Sequence, residues 1–181
     1  ATFVASTVNA MKDAGIGSTL KHFPGYGSNV DTHTGIAVDE RPFESLSLDF
    51  LPFEAGISVG VDELGRQTTS VLVSHNIITC LDPELPASLS PEVHRLLRES
   101  LLFDGVVMTD DLAMEAVAAY AEDGAVAVMS IQAGNDLVLT SDYRTQIPKV
   151  LEAVENGTLS MEAIDTACRR VLTWKQALGL I

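Results

Sequence analysis

The sequence predicts an α/β protein in which parallel strands alternate with helices, and three observations carry that expectation. Short, continuously apolar runs such as 70–74 and 105–108 end abruptly in polar residues, as strands covered on both faces do. Stretches of helical periodicity lie between them. Strong helix punctuation marks the boundaries: Ser90-Pro91-Glu92 as a start, Asn156-Gly157 as a stop. Alternation of this kind means parallel strands joined by crossovers. Two architectures satisfy it, a doubly wound open sheet or a section of a (β/α)₈ barrel, and periodicity does not choose between them.

Taken in order, residues 3–12 read as the end of an amphipathic helix, with Phe3, Val4, Val8 and Met11 on its apolar face and Gly15 closing it. A first strand follows over 16–23, then a long polar loop. Residues 43–59 read as a helix in two pieces, the second started by Pro52. The second strand is 70–74, and the loop 76–89 after it contains Pro83 and Pro86. Ser90 caps a helix running to about Leu102. The third strand, 105–108, runs into Thr109-Asp110-Asp111. A helix over 122–132 is closed by Gly134, and 136–139 is the fourth strand. Residues 143–155 are helical, and Ser160 caps a last helix with Ile164, Cys168, Val171, Leu172 and Leu178 on one face. No fixed-period repeat or linker interrupts this rhythm.

Composition narrows the function. The chain has 181 residues, 46% of them apolar, and a formal charge of −14. Nucleic acids and anionic membranes select for Lys and Arg, so that field favours a neutral small-molecule partner. Solubility alone accounts for the acidity equally well. Cys80 and Cys168 lie far apart with no metal-ligand spacing, which excludes a disulfide framework or a zinc site. No apolar run approaches the roughly 18 residues of a membrane span. The compartment stays open between cytoplasm and export.

In both architectures ligands collect beyond the C-terminal ends of the strands. The residues placed there are Lys21, His22, Asp31 and His33 after the first strand, and Ser74, His75 and Asn76 after the second. The third delivers Asp110 and Asp111, the fourth Thr140 and Asp142. Asp31-x-His33 has the spacing for a carboxylate that orients an imidazole as general acid/base, or for a local turn. Two adjacent carboxylates are costly unless they do different work. One of Asp110 and Asp111 points into a site as nucleophile or ligand, and the other caps the next helix. A metal centre would need His22, His33, His75 and an Asp to converge. Gly25-Tyr26-Gly27 matches neither phosphate-cradling glycine pattern, so no nucleotide cofactor is expected, and the absence of a GxSxG elbow excludes Ser74 and Ser90 as serine nucleophiles of that kind.

Several blocks carry a likeness. Lys21-His-Phe-Pro-Gly-Tyr-Gly27 with Asp31-Thr-His33 resembles the KHFPGHG…DSH signature of the β-N-acetylglucosaminidases of glycoside hydrolase family 3. Pro86-Ala-Ser-Leu-Ser90, Phe103 to Met114 and Ala133-Gly-Asn-Asp136 resemble that family's PASLS, GVxxTDDLxM and AGxD blocks. The resemblance implies the C-terminal half of a (β/α)₈ TIM barrel, strands five to eight, as a single partial catalytic domain over 1–181 without the first four βα units. It implies Asp110 as nucleophile, Asp31 and His33 as acid/base dyad, and Lys21, His22, His75 and Asp111 as sugar-binding residues. It implies retaining hydrolysis of a terminal β-linked N-acetylglucosamine without metal or cofactor, with β-glucosidase or phosphorylase chemistry as the alternatives. Tyr26 and Thr32 depart from the family's His and Ser as subfamily variation. Exposed half-barrel edges predict a homo-oligomer, or a fragment that only self-associates.

Overall fold

The computed structural model describes residues 1–26, 36–118, 120–121 and 125–181. In chain order the elements are α1 (Thr2–Asp13), β1 (Ser18–Phe23), β2 (Val38–Asp39), α2 (Phe43–Leu46), α3 (Phe50–Val59), β3 (Thr69–Val73), β4 (Ile77–Ile78) and β5 (Asp82–Pro86). Then come α4 (Pro91–Arg95), β6 (Val107–Thr109), α5 (Glu115–Ala118), α6 (Val126–Ala133), α7 (Tyr143–Glu155) and α8 (Met161–Ala177).

The main sheet is parallel with order β1-β3-β6, and Leu137 adds a parallel bridge to Met108 on the outer side of β6. Leu20 pairs with Val71, Val71 with Val107, and Val73 with both Phe23 and Thr109. Each βα unit therefore lays its strand beside the previous one, always on the same side. A doubly wound sheet reverses direction at a switch point, whereas a barrel does not. Among the described strands the order never reverses, as in a section of a parallel α/β barrel. The described arc does not close, and its edges are β1 and the segment at Leu137.

Side-chain alternation distributes the core. Val71, Val73 and Val107 face outward into a cluster with Val8 of α1, Phe50, Phe53 and Ile57 of α3, and Val93 of α4. Phe23 is fully buried there, its ring 5.2 Å from Phe53 in an edge-on contact. Leu72 and Met108 face the other way, against Val171 and Trp174 of α8. β3 is buried at every position, as a strand covered on both faces must be, but β1 alternates and leaves Thr19 and Lys21 exposed.

Helix ends follow their sequence signals. Ser90 accepts the Val93 amide and Ser160 the Ala163 amide. Gly134 closes α6 at φ +118°, and a Cβ there would come within 3.2 Å of His94.

Four expectations are corrected. The helix after Ser90 ends at Arg95 and continues as a π-helical turn through Ser100. The fourth strand makes a single bridge, its backbone instead hydrogen-bonding irregularly to Val107, Thr109 and Leu112. The loop 76–89 hides β4 and β5, which build a small second sheet with β2 in the order β2-β4-β5. On α8, Cys168 and Leu172 point to solvent, and the packed face runs through Ile164, Arg170, Val171, Trp174 and Leu178. The described part of α6 begins at Val126, and residues 122–124 of the expected helix lie outside the described residues.

One ion network ties the N-terminal side of the sheet together. The Asp136 carboxylate, 2% exposed, receives Arg98 at 2.6 Å, Arg170 at 3.0 Å and the Val107 amide at 2.9 Å. Arg98 also donates to the carbonyls of Phe103 and Gly105. Removing one partner of a buried pair leaves the other charge uncompensated. Asp136→Asn is therefore expected to cost about 2–3 kcal/mol in urea unfolding. Asp62→Asn, which frees only the partly exposed Arg66, should cost under about 1 kcal/mol.

Candidate active site

All main-sheet strands point the same way, so their C-terminal ends bring β1, β3 and β6 residues to one rim. Lys21 and His22 end β1, where Lys21-His22 and Phe23-Pro24 are cis peptides. Ser74, His75 and Asn76 follow β3, and Asp110 and Asp111 follow β6. The structure brings His22 and Asp110 together, with Nε2 to Oδ2 at 3.6 Å. That is an electrostatic approach beyond hydrogen-bond length. Both side chains are about 30% exposed, at 27% and 30%, so the pair opens to solvent. The Tyr26 ring lies 5.3 Å from that of His22.

The two aspartates do divide their work. Asp110 Oδ1 accepts its neighbour's amide, Asp111 N–H at 2.9 Å, and Oδ2 is turned toward His22 and the rim. Asp111 Oδ1 accepts the amides of Ala113 at 2.9 Å and Ser141 at 3.0 Å, so it caps the turn into α5 and draws in the loop after the fourth strand. Burial raises its carboxyl, but the Ala113 and Ser141 donors and the nearby His75 outweigh that and hold it below the usual carboxylate range.

His75 is 1% exposed and sits beneath this turn. Its Nε2 lies 3.1 Å from the Asp111 carbonyl, which can only accept, so Nε2 carries the proton. Nδ1 then accepts from the Ser88 hydroxyl at 2.7 Å. Burial pushes the imidazole below its ordinary value, against the upward pull of the Asp111 carbonyl and the Asp110 and Asp111 charges. Asn135 donates to the carbonyls of Ser88 and Ser130 at 2.8 Å each, extending the line from the AGND block to the aspartate turn.

Some participants were assigned no role by the sequence, even where they lie in blocks that carry the family likeness. Ser88 and Asn135 sit in apolar or turn-like settings and acquire their roles only through loops 13 and 47 residues apart. Arg41 bridges Asp39 and Asp49, each at 2.7 Å, and anchors β2 to the turn before α3. Its hydrogen bonds hold the buried Asp39 carboxyl low despite burial. Gly25, at φ +144°, lies so close to Asp49 that a Cβ would collide with the carboxylate. Asn76 is fully buried, and neither atom of its amide has a hydrogen-bond partner among the described residues. Asp31 and His33 lie outside the described residues. Among the described residues no three His, Cys, Asp or Glu side chains gather as a metal-holding group.

Three comparisons place the chain. The family model described as glycosyl hydrolase family 3 N terminal domain matches residues 1–174. A beta-hexosaminidase of Stenotrophomonas maltophilia (strain K279a) is 36% identical over 167 residues, covering 91% of this chain and 47% of its own length. One from Xanthomonas campestris pv. campestris (strain B100) is 35% identical over 184 residues, covering 99% and 53%. The solved structure of a glycoside hydrolase family 3 beta-N-acetylglucosaminidase from Paenibacillus sp. str. FPU-7 superposes with a TM-score of 0.87 at 35% identity, over 97% of this chain and 34% of that one. The chain thus spans about half the length of the curated relatives it matches.

The histidine geometry has a consequence for acid stability. His75 and the buried His94 both titrate below the unfolded value of about 6.5, because burial disfavours their charged forms. Between the folded and unfolded values only the unfolded chain binds the proton, so acidification favours unfolding. Stability should be intact above about pH 7 and fall as pH drops through 6.5, by up to about 1.4 kcal/mol per pH unit per histidine. Urea midpoints from pH 8 to 5 check this, and a flat profile contradicts it.

Proposed function

The chain belongs to glycosyl hydrolase family 3, and from that premise we propose that it carries the chemical centre of a retaining exo-glycosidase acting on terminal β-linked N-acetylglucosamine. The observation that supports it best is Asp110: a solvent-open carboxylate at a strand's C-terminal end, one oxygen pinned by Asp111 N–H and the other turned to the rim beside His22. An oriented carboxylate of this kind suits attack on an anomeric carbon.

In this proposal Asp110 Oδ2 forms a glycosyl ester as the glycosidic bond breaks, and His33 gives its proton to the departing oxygen. Asp31 holds the His33 ring in one tautomer. His33 then takes a proton from water, whose oxygen displaces Asp110 and restores the β-configuration. Lys21 and His22, at the end of β1, and Asp111 bind sugar hydroxyls. His75, with both ring nitrogens bonded inside the protein, acts on the sugar by holding the Asp110–Asp111 backbone. Residues 1–181 form part of a single catalytic domain in this proposal, with carbohydrate as its partner.

The test is release of p-nitrophenol from its β-N-acetylglucosaminide. The wild-type chain should turn it over, and Asp110→Ala should lose about a thousandfold or more. His33→Ala should lose about a hundredfold on a chitobiose-type substrate, whose leaving group needs a proton, and much less on the nitrophenyl glycoside. No release by the wild-type chain rejects the activity, and an active Asp110→Ala rejects the nucleophile.

We further propose that the chain self-associates through its open arc. β1 pairs only with β3 among the described residues, and Tyr143, Ile147 and Leu151 form an exposed apolar stripe on α7. Unpaired strand edges and exposed apolar surface each favour association. Sedimentation at micromolar concentration should show dimers or larger species, and a clean monomer refutes it.

A further inference from the structure

The hydrogen bonds that end on the aspartate turn begin in a segment far from it in sequence. Asn135 follows Gly134, which ends α6, and lies buried between that helix and the turn 87–89. Its Nδ2 donates to the carbonyl of Ser130, within α6, and to that of Ser88, both at 2.8 Å. Carbonyl oxygens can only accept, so the amide nitrogen must face them, and its two N–H bonds serve both.

Ser88 is held from the other side as well. Its own amide donates to the Ser74 carbonyl at 2.9 Å, and the Ala87 amide donates to the Asn76 carbonyl at 2.8 Å. These bonds tie the turn to the exit of β3, while Asn135 ties it to α6. The turn is fully buried, so a bond lost there is not replaced by water. With its backbone held on both sides, Ser88 presents its hydroxyl 2.7 Å from His75 Nδ1.

From His75 the line continues through Nε2–H to the Asp111 carbonyl at 3.1 Å. The amide of that same Asp111 donates to Asp110 Oδ1 at 2.9 Å. Hydrogen bonds between buried groups hold angle as well as distance, and these end on the residue whose amide aims the carboxylate.

We propose that Asn135 and Ser88 are positioning residues for Asp110, acting through His75; the inference rests on the reading of Asp110 as nucleophile. Both are buried, out of reach of a ligand at the rim. Asn135 places the Ser88 backbone, the Ser88 hydroxyl holds the His75 ring, and the ring holds Asp111. Loosening a link lets Asp110 leave the line of attack, which slows the reaction without weakening binding of the sugar. The AGxD block leaves position 135 open, so the family likeness assigns Asn135 no role of this kind.

Two readouts on the full chain test this. Ser88→Ala and Asn135→Ala should each lower kcat/KM for the nitrophenyl β-N-acetylglucosaminide about tenfold or more. Inhibition by N-acetylglucosamine should stay within about twofold, because the groups that bind the sugar are untouched. As both residues act along one line, the double variant should lose no more than the worse single one, within about twofold. Should Asn135→Ala fail to fold, Asn135→Ser, which keeps one donor, takes its place. Arg95→Ala, at an exposed position on α4, should behave as wild type.

Nitrogen-15 spectra of the His75 ring and the Asp111 amide give the second readout, independent of turnover. Ser88→Ala should move the Nδ1 resonance to that of a nitrogen without a hydrogen bond. Asn135→Ala should move it part of the way, and both should shift the Asp111 amide. Variants that fold with these resonances unmoved overturn the line. Undiminished kcat/KM overturns the positioning role, and so do losses that multiply in the double variant or that run in step with N-acetylglucosamine binding. Absence of turnover by the wild-type chain rejects the proposed activity instead, and the resonances then decide the line alone.

Discussion

The arrangement of the candidate site depends on one buried imidazole. His75 is the bolt between the loop after β3 and the turn after β6: its Nδ1 accepts a hydrogen bond from the Ser88 hydroxyl and its Nε2–H donates one to the Asp111 carbonyl. Both bonds exist together only in the neutral Nε2–H tautomer. Burial enforces that neutrality, because a charged ring would have to donate from Nδ1 as well and would lose its solvation. The Asp111 backbone is thereby fixed, and with it the amide that orients Asp110. A carboxylate placed by a strand end, a backbone amide and a buried ring has little freedom left, which is what the proposed role of Asp110 as nucleophile requires before substrate arrives.

The same logic runs to the other end of the sheet. Asp136 pins the Val107 amide and gathers Arg98 and Arg170, so the entry to β6 is fixed by charge where its exit is fixed by His75. Asn135, next to Asp136, reaches the Ser88 carbonyl. Two neighbouring residues thus secure opposite ends of one short strand. A three-residue strand has few ladder bonds of its own, and these side chains supply the definition that length does not.

Much of this was legible in the sequence, for identifiable reasons. β3 and β6 announce themselves because strands buried on both faces are apolar without alternation, and Ser90-Pro91 and Ser160 mark helix starts through capping chemistry that acts locally. The different settings of Asp110 and Asp111 were legible too, since adjacent like charges must point apart, and Asp111 does take the capping position. β2, β4 and β5 were not legible. Two are only two residues long, and β5 contains Pro83 and Pro86, so neither propensity nor period could reveal them. The face of α8 was misread because Cys168 and Leu172 are apolar but turned outward, while Arg170 turns inward to a carboxylate on a distant segment. The engagement of His75 by Ser88 is a contact between loops, and no local pattern encodes it. For Asp31 and His33 the spacing and the family resemblance remain the basis of their proposed roles.

Polarity along the sheet axis follows from these placements. The C-terminal rim presents an open carboxylate beside His22, which suits the proposed neutral sugar, whose anomeric carbon gains positive charge in the proposed reaction. The N-terminal base presents the Asp136 network, in which one buried carboxylate gathers Arg98 and Arg170 and receives the Val107 amide. Charges at the two ends of the same short strand therefore stand in opposite settings. At the base they satisfy each other and hold the fold, which a buried charge requires. At the rim Asp110 keeps one oxygen turned to solvent, and the backbone amide of Asp111 and the approach of His22 define where it points.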